Sequence, residues 1–314
     1  MIPVKDAGPG LDALLSAIRE QRWAGQAELV AVDSGSTDST VATLRDGGAT
    51  VLTIEPGDFD HGLTRLAASR HAHGELLVFV TQSMRPAGHQ WLGPLVETLD
   101  GDPELAGVSS RLVPNDDADL LTRLDGLREA SYSAEPSRRA IEDRERYAAL
   151  SPPELRGFAH FHTVSCAIRP EVLARVPFRS VSTIGEDLQW GKDALEAGLA
   201  IAHEPRSVAM HSHEYGFDEL LGRNFDDGVA GRELVGSRLS GESLLGHIAA
   251  QVDADLTHLR SEYDLDPEEL EHWERESISR RTAQLVGQWL GTNAGQLPAQ
   301  VVPALSLARR RMRS

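Results

Sequence analysis

The sequence predicts an α/β fold, a mostly parallel sheet flanked by helices and followed by a helical C-terminal region. Three observations carry this. Short apolar runs alternate with helical patterns over the first hundred residues, strand character returns at "HFHTVSCAI" and "LAIAHEP", and beyond residue 216 the pattern is helical almost to the end. Alternating strands and helices imply β-α-β units whose right-handed crossovers cover both sheet faces. Ligand contacts then belong on the loops after the carboxyl ends of the strands.

"IPV" opens the chain as a strand, and an amphipathic stretch from Leu11 to Arg22 follows, with Leu11, Leu14, Leu15 and Ile18 at helical spacing. "ELVAVD" is a second strand, "STDSTVATL" opens a helix, "ATVLTI" is a third strand, a helix covers about residues 62–73, and "LLVFV" is a fourth strand. Residues 101–160 carry more charge and fewer strands, and "SRRAIEDRERYAALSPPELRG" reads as loop or loose helix. The helical region is carried by "FDELLGRNFDDGVAGRELV", "GESLLGHIAAQVDADLTHL" and "EELEHWERESISRRTAQLVGQWLG". The division expected is an α/β domain over 1–215 and a helical region over 216–314, the latter serving ligand contacts, oligomerisation or a membrane-proximal contact.

The 314 residues allow one large or two modest domains, with ordinary hydrophobic (40%) and charged (25%) content. A net charge of −17 argues against a broad polyanion-binding surface, so nucleic acid is not an expected partner and any phosphate site must be local. Cys166 is the only cysteine, which excludes an internal disulfide and a multi-cysteine zinc site; it reads as a small buried strand residue. "MIPVKDAGPG" lacks the pattern of a signal peptide and no run reaches membrane-span length, so the chain reads as cytoplasmic. The tail "LPAQVVPALSLARRRMRS" gathers Arg309, Arg310, Arg311 and Arg313; a solvated tail competes there with a peripheral membrane contact.

"VDSGSTDST" places Asp33 at a strand end and Asp38 near a helix start. Asp33 can accept hydrogen bonds from a base or ribose, and Asp38 can cap the helix; a well-capped turn without ligand is the competing reading. From "IPVKDAGPG" through this turn the chain resembles the start of the family-two inverting glycosyltransferases, enzymes of the GT-A fold that use nucleotide-sugar donors. "GDFDHGLTRLAASRHAHGELLVFVTQSMRP", "SCAIRPEVL", "GEDLQWGKDALEAGLAIAHEP" and "HSHEYGFDELLGRNFDDG" resemble, in that order, the rhamnosyltransferase branch. The likeness spans roughly residues 1–230.

The resemblance implies roles. Asp33 would contact the nucleobase, His61 and Arg65 would line the donor pocket, and Gln82, Ser83, Arg85 and Arg223 would join the donor contacts. Asp187 matches the general base and Glu186 supports acceptor binding or the helix start; two first-turn acids favoured by the helix dipole are the plainer reading. His211 and His213 fall where the family often places a histidine on the metal or diphosphate, and strand alternation would aim only one of them inward. Asp226 shares a helix with Arg223 within reach of donor or acceptor. In an inverting transfer one carboxylate takes the acceptor hydroxyl's proton as the bond forms, and the departing diphosphate needs compensating charge.

The family loop normally reads Thr-Gln-Asp, its aspartate helping to hold a divalent cation, Mg²⁺ or Mn²⁺. Here Ser83 takes that place and Leu66 replaces the asparagine usual after Thr-Arg. A serine hydroxyl is a poor ligand for these ions. Three explanations stay open: metal-independent neutralisation by Arg65, Arg85 or His211; a ligand from Asp58 or Asp60; or weakened catalysis. The leading function is transfer of a sugar, best L-rhamnose from dTDP-rhamnose, although a UDP-sugar also fits, to a saccharide or lipid-linked acceptor in cell-wall or polysaccharide biosynthesis. The alternative is an inactive relative that binds sugar nucleotide or glycan, or partners an active enzyme. A nucleotidyltransferase fits less well, because no Gly-rich, lysine-bearing phosphate loop lies near the start. A homo-oligomer remains within this reading.

Overall fold

The computed structural model describes residues 1–311. The chain divides into two compact units: Met1–Asp117, Gly126–Ser180 and Glu186–Ser212 form the first, and Ala118–Asp125, Val181–Gly185 and everything from His213 on form the second.

In the first unit β1 (Ile2–Val4), α1 (Gly10–Arg19), β2 (Val30–Asp33), α2 (Thr40–Asp46) and β3 (Thr50–Thr53) alternate as the sequence predicts. The strands pair in parallel in the order β1-β2-β3. Leu11, Leu14 and Leu15 form the buried face of α1 and Ile18 packs beside them; each buried leucine contributes about 1.5–3 kcal/mol. Next come α3 (His61–Ser69), β4 (Leu77–Val80), the two-residue β5 (Arg85–Pro86) and α4 (Leu92–Gly101). Asp60 starts α3 by accepting the amides of Gly62 (2.9 Å) and Leu63 (2.8 Å), a cap that stabilises by about 1 kcal/mol.

The charged middle region contains a strand its composition conceals. β6 (Leu105–Val113) lies between β8 (Ser165–Ile168) and β9 (Ala200–Met210), inside the sheet ordered β4-β8-β6-β9-β5. Its centre, Gly107 to Ser110, holds a single β-branched residue, Val108, among a glycine and two serines, a weak strand signal. Tertiary packing holds it instead. A Cβ at Gly107 would lie 2.9 Å from the Trp190 ring and 3.0 Å from the Ala167 carbonyl. The buried Ser110 hydroxyl bridges Ser165 (2.6 Å) and Ser207 (2.8 Å), and Trp91 Nε1–H donates to Ser165 (2.8 Å). In this second sheet only β6–β9 is parallel; β4–β8, β6–β8 and β5–β9 are antiparallel. The Val80 amide donates to the Met1 carbonyl (3.1 Å), which ties β4 to the residue before β1.

Between β6 and β8 run α5 (Leu120–Arg128), β7 (Ser137–Arg139), α6 (Arg144–Ala148) and α7 (Pro152–Phe158), and β7 pairs with β9. α8 (Pro170–Arg175) and α9 (Glu186–Glu196) precede β9. Cys166 is buried in β8 as expected. "HFHTVSCAI" is strand only from Ser165 on, and β9 runs past "LAIAHEP" to Met210. His211 and His213 therefore lie beyond the strand's end, so the alternation argument does not apply to them.

The second unit is helical: α10 (Phe217–Val235), α11 (Leu244–Glu262), α12 (Pro267–Thr292), α13 (Val302–Leu305) and α14 (Leu307–Arg311). Its three long helices lie where the sequence places them. α10 and α12 approach so closely that a Cβ at Gly228, Gly287 or Gly291 would meet a backbone oxygen. Arg281 is buried and spans Asp255 (2.7 Å) and Asp125 (2.5 Å), while Arg280 reaches Asp119 (3.0 Å). Of the basic tail, Arg310 donates to the Asp218 carbonyl (2.9 Å), and Arg311 pairs with Glu219 (3.3 Å) and stacks over Tyr215. Arg313 lies outside the described residues. Among the described residues no helix is long and apolar enough to cross a membrane.

Candidate active site

The carboxyl ends of β1, β2 and β4 are laced together by the loops that leave them. Asp33 ends β2, is buried, and folds its carboxylate back onto the amides of Gly35 (3.2 Å) and Ser36 (3.1 Å). Asp6, held at φ 42°, accepts the Thr37 amide (2.7 Å). Asp38 accepts the amides of Gly8 (3.1 Å) and Thr40 (2.9 Å), the latter the first residue of α2. The Gln82 amide pairs reciprocally with the Lys5 backbone, accepting from N–H (2.9 Å) and donating to C=O (3.1 Å).

The loop after β4 also reaches the carboxylate pair. The Thr81 amide donates to the Val164 carbonyl (3.1 Å), and neighbouring Thr163 touches both acids. Its hydroxyl donates to Glu186 Oε1 (3.2 Å) and its amide to Asp187 Oδ2 (3.5 Å). The Leu188 amide holds Asp187 Oδ1 (2.8 Å). These acids open α9, where the helix's free N–H groups favour negative charge. α3 packs on both β2 and α9 and links Asp33's strand to this pair.

Arg65 lies inside this link, 3% exposed, its Nη1 donating to Glu186 Oε1 (3.1 Å) and to the His61 carbonyl (2.8 Å). Its Nε is buried with no hydrogen-bond partner among the described residues. Burial by itself would raise the Glu186 carboxyl, but the Arg65 charge, then His61 and the Thr163 hydroxyl, outweigh it and hold Glu186 below the ordinary range. Asp187 moves the other way. Burial first and the Glu186 charge second push its carboxyl up to about 6. Two adjacent acids with opposite shifts are the pattern of divided acid–base roles.

The remaining expected residues are placed as follows. Ser83 is exposed, with its hydroxyl 3.5 Å from that of Thr81. Arg85 sits in β5, touches Met210 Sδ (3.4 Å) and pairs with Asp116 at 3.6 Å. His61 opens α3 with its ring edge-on to Phe59. His211 follows β9, its amide donating to the Val113 carbonyl (2.8 Å). His213 and Arg223 belong to the second unit, where His213 stacks on Tyr215 and Arg223 lies on α10. Asp226 is buried there and accepts the Ala308 amide (2.8 Å), so it caps α14.

The donor set does not compose a protein-held site for a divalent cation. Ser83 offers only a neutral hydroxyl. Asp60 is spent on two amides and the Ser180 hydroxyl (2.6 Å). Among the described residues no three His, Cys, Asp or Glu side chains gather as a ligand set. Sequence reasoning missed Thr163, because its stretch reads as strand, and Asp6, whose role depends on a turn from another strand.

The model of Glycosyl transferase family 2 matches residues 1–167, and the chain belongs to this family. It is a glycosyltransferase with the GT-A fold, and two relatives that it resembles at moderate identity are rhamnosyltransferases. It is 29% identical over 232 residues to the O-antigen chain rhamnosyltransferase RfbN of Salmonella typhimurium, covering 73% of this chain and 70% of that one. It is 27% identical over 203 residues to the O-antigen chain rhamnosyltransferase WbaN of Salmonella anatum, covering 64% and 62%. Among solved structures, the mannosyltransferase PcManGT from Pyrobaculum calidifontis, in complex with GDP-Man and Mn²⁺, shares the fold at TM-score 0.61 and 18% identity, covering 93% of this chain and 85% of that one. S. aureus TarS 1–349 in complex with UDP-GlcNAc matches at TM-score 0.51 and 16% identity, covering 99% and 84%.

Proposed function

We propose that this enzyme is an inverting glycosyltransferase that moves L-rhamnose from dTDP-rhamnose to a saccharide or lipid-linked acceptor, with Asp187 as general base. The observation that carries the proposal is Asp187 itself, a half-buried carboxylate at the start of α9 whose acidity is shifted to about 6 beside an ionised Glu186. A base with its pKa near the working pH is ionised often enough to act and basic enough to accept the acceptor's proton. In the transfer the acceptor O–H gives its proton to Asp187 while its oxygen bonds the anomeric carbon. The bond to the diphosphate breaks on the opposite face and the nucleoside diphosphate leaves with the electron pair. Asp33, at the end of β2, is assigned to the base of the donor, and the 81–85 loop to its phosphate side. The rhamnose assignment is supported by the names of the two Salmonella relatives.

A thermal-denaturation screen tests the donor, since a ligand that binds the native state raises the transition temperature by mass action. The expected result is a rise with dTDP-L-rhamnose, measured with Mn²⁺ and with EDTA, that UDP- and GDP-sugars do not match. A rise confined to a UDP- or GDP-sugar overturns the rhamnose assignment. A second reading rests on Ser83: a binding or partner protein with a decayed site. It predicts nucleotide-sugar binding without donor consumption by any acceptor, and metal-dependent turnover regained in Ser83→Asp.

A further inference from the structure

We propose that Arg65 is a positioning residue that decides which of the two adjacent acids carries the proton: it fixes the charge on Glu186 and so leaves Asp187 as the proton-accepting partner. The geometry is specific. Both side chains of the Arg65–Glu186 pair are nearly sealed from solvent, at 3% and 7% exposure, and they meet at 3.1 Å. Thr163 braces the same Glu186 oxygen, and Gly62, one turn before Arg65, lies against the Arg179 backbone and the Glu186 Cβ. α3 is thereby clamped onto the start of α9. A guanidinium so placed has no remaining surface for a solvated diphosphate, so its role is turned inward to the acids.

The electrostatics follow from one cation set against one of two adjacent carboxylates. The groups facing the pair are Arg65 and His61 from α3 and the buried Cys166 from β8. Burial and Asp187's charge push the Cys166 thiol well above its ordinary range, so it stays neutral and leaves the local charge to the others. Arg65 contacts Glu186 directly and acts on Asp187 only at longer range. Glu186 is therefore ionised first, and its charge then holds the proton on Asp187 to higher pH. Without the cation the order inverts: burial alone raises Glu186, the more deeply buried acid, which keeps its proton, and Asp187, freed of a charged neighbour, ionises first.

The test is carboxyl titration by ¹³C NMR of the full chain without substrate, on the parent, Arg65→Met, Arg65→Lys and Glu186→Gln, with near-UV circular dichroism to confirm the fold. In Arg65→Met the Glu186 titration is expected to move upward by about two pH units or more and to pass that of Asp187. Arg65→Lys, which keeps the charge, is expected to preserve the parent order. In Glu186→Gln the Asp187 titration is expected to fall by about one unit. If Arg65→Met does not fold, Glu186→Gln still decides, because an Asp187 titration unmoved in that variant overturns the coupling. Unchanged titrations in a folded Arg65→Met also overturn it.

The kinetic arm rests on the reading of Asp187 as base. There the acid limb of kcat/KM against pH is expected to follow the Asp187 titration from variant to variant. Titrations that move while the acid limb stays fixed would reject Asp187 as the base and leave the Arg65 assignment intact; titrations that do not move reject the assignment itself.

Discussion

In Asp187→Asn the carboxyl becomes a neutral amide of nearly the same shape, and the structure demands opposite consequences for turnover and stability. At pH 7 the parent carboxyl, with its pKa near 6 against an ordinary 3.8, is largely ionised in a place that resists ionisation. The shift of about two pH units corresponds to roughly 3 kcal/mol of strain on the charged form, at 1.36 kcal/mol per unit. The variant removes that strain but turns an amide N–H toward the Thr163 N–H, which forfeits about 1 kcal/mol. The Leu188 amide keeps its acceptor. The net expectation is a gain of about 1–2 kcal/mol at pH 8. The sign follows from the raised pKa: relative to its neutral form, Asp187 stabilises the fold fully below pH 3.8 and loses that contribution as pH rises through about 6. The advantage of the variant therefore shrinks toward zero at pH 5. Urea denaturation of both proteins at pH 5 and pH 8 measures it, alongside transfer activity, which loses about 10²–10⁴-fold without the base. A variant no more stable than the parent at pH 8, or equally favoured at both pH values, refutes the account of a strained carboxylate. Full turnover refutes the base.

Further outcomes follow from other parts of the fold. In the parent, kcat/KM is expected to fall about tenfold between pH 7 and pH 5, since a base with pKa near 6 is about nine-tenths ionised at the first and one-tenth at the second; a flat profile excludes Asp187. His162 donates Nε2–H to the Ser110 carbonyl (2.8 Å), and burial holds its pKa down to about 3 and that of nearby His160 to about 4. Both stay neutral in the fold near neutral pH, so their contribution is complete above pH 6.5 and is lost as pH falls through about 4 for His160 and about 3 for His162. His162→Asn is expected to flatten the loss of stability between pH 6.5 and 4.5, and a slope equal to the parent's contradicts it. Gly107→Ala forces a methyl against the Trp190 ring and the Ala167 carbonyl, and is expected to cost about 1–3 kcal/mol in denaturant titration. Asp255→Ala removes one of the two carboxylates that hold the buried Arg281 guanidinium, leaving Asp125, and is expected to cost about 3 kcal/mol, seen in the same assay as early loss of helical signal.

The first three strands, α1 and the long C-terminal helices are legible because local pattern and burial agree there: Leu11, Leu14 and Leu15 recur at helical spacing and all face the core. β6 is not legible, since Gly107, Ser109 and Ser110 become strand only when β8 and β9 supply partners from 55 to 97 residues away. Asp33 and Asp187 stand out in sequence because short motifs place an acid at a strand end and at a helix start. Arg65 also stands out, but its sequence reading points outward to a phosphate while its side chain points inward to Glu186, 121 residues further along the chain.

By itself the sequence determined the family, the alternation of strands and helices, and the acids and arginine from which the site is built, for these depend on residue type and on spacings of a few positions. Only the tertiary structure decided that Thr163 braces both acids, that Arg65 is buried against one of them, and that the other is left hard to ionise. Those outcomes depend on dielectric and distance between groups far apart in the chain, and neither exists until the fold brings them together.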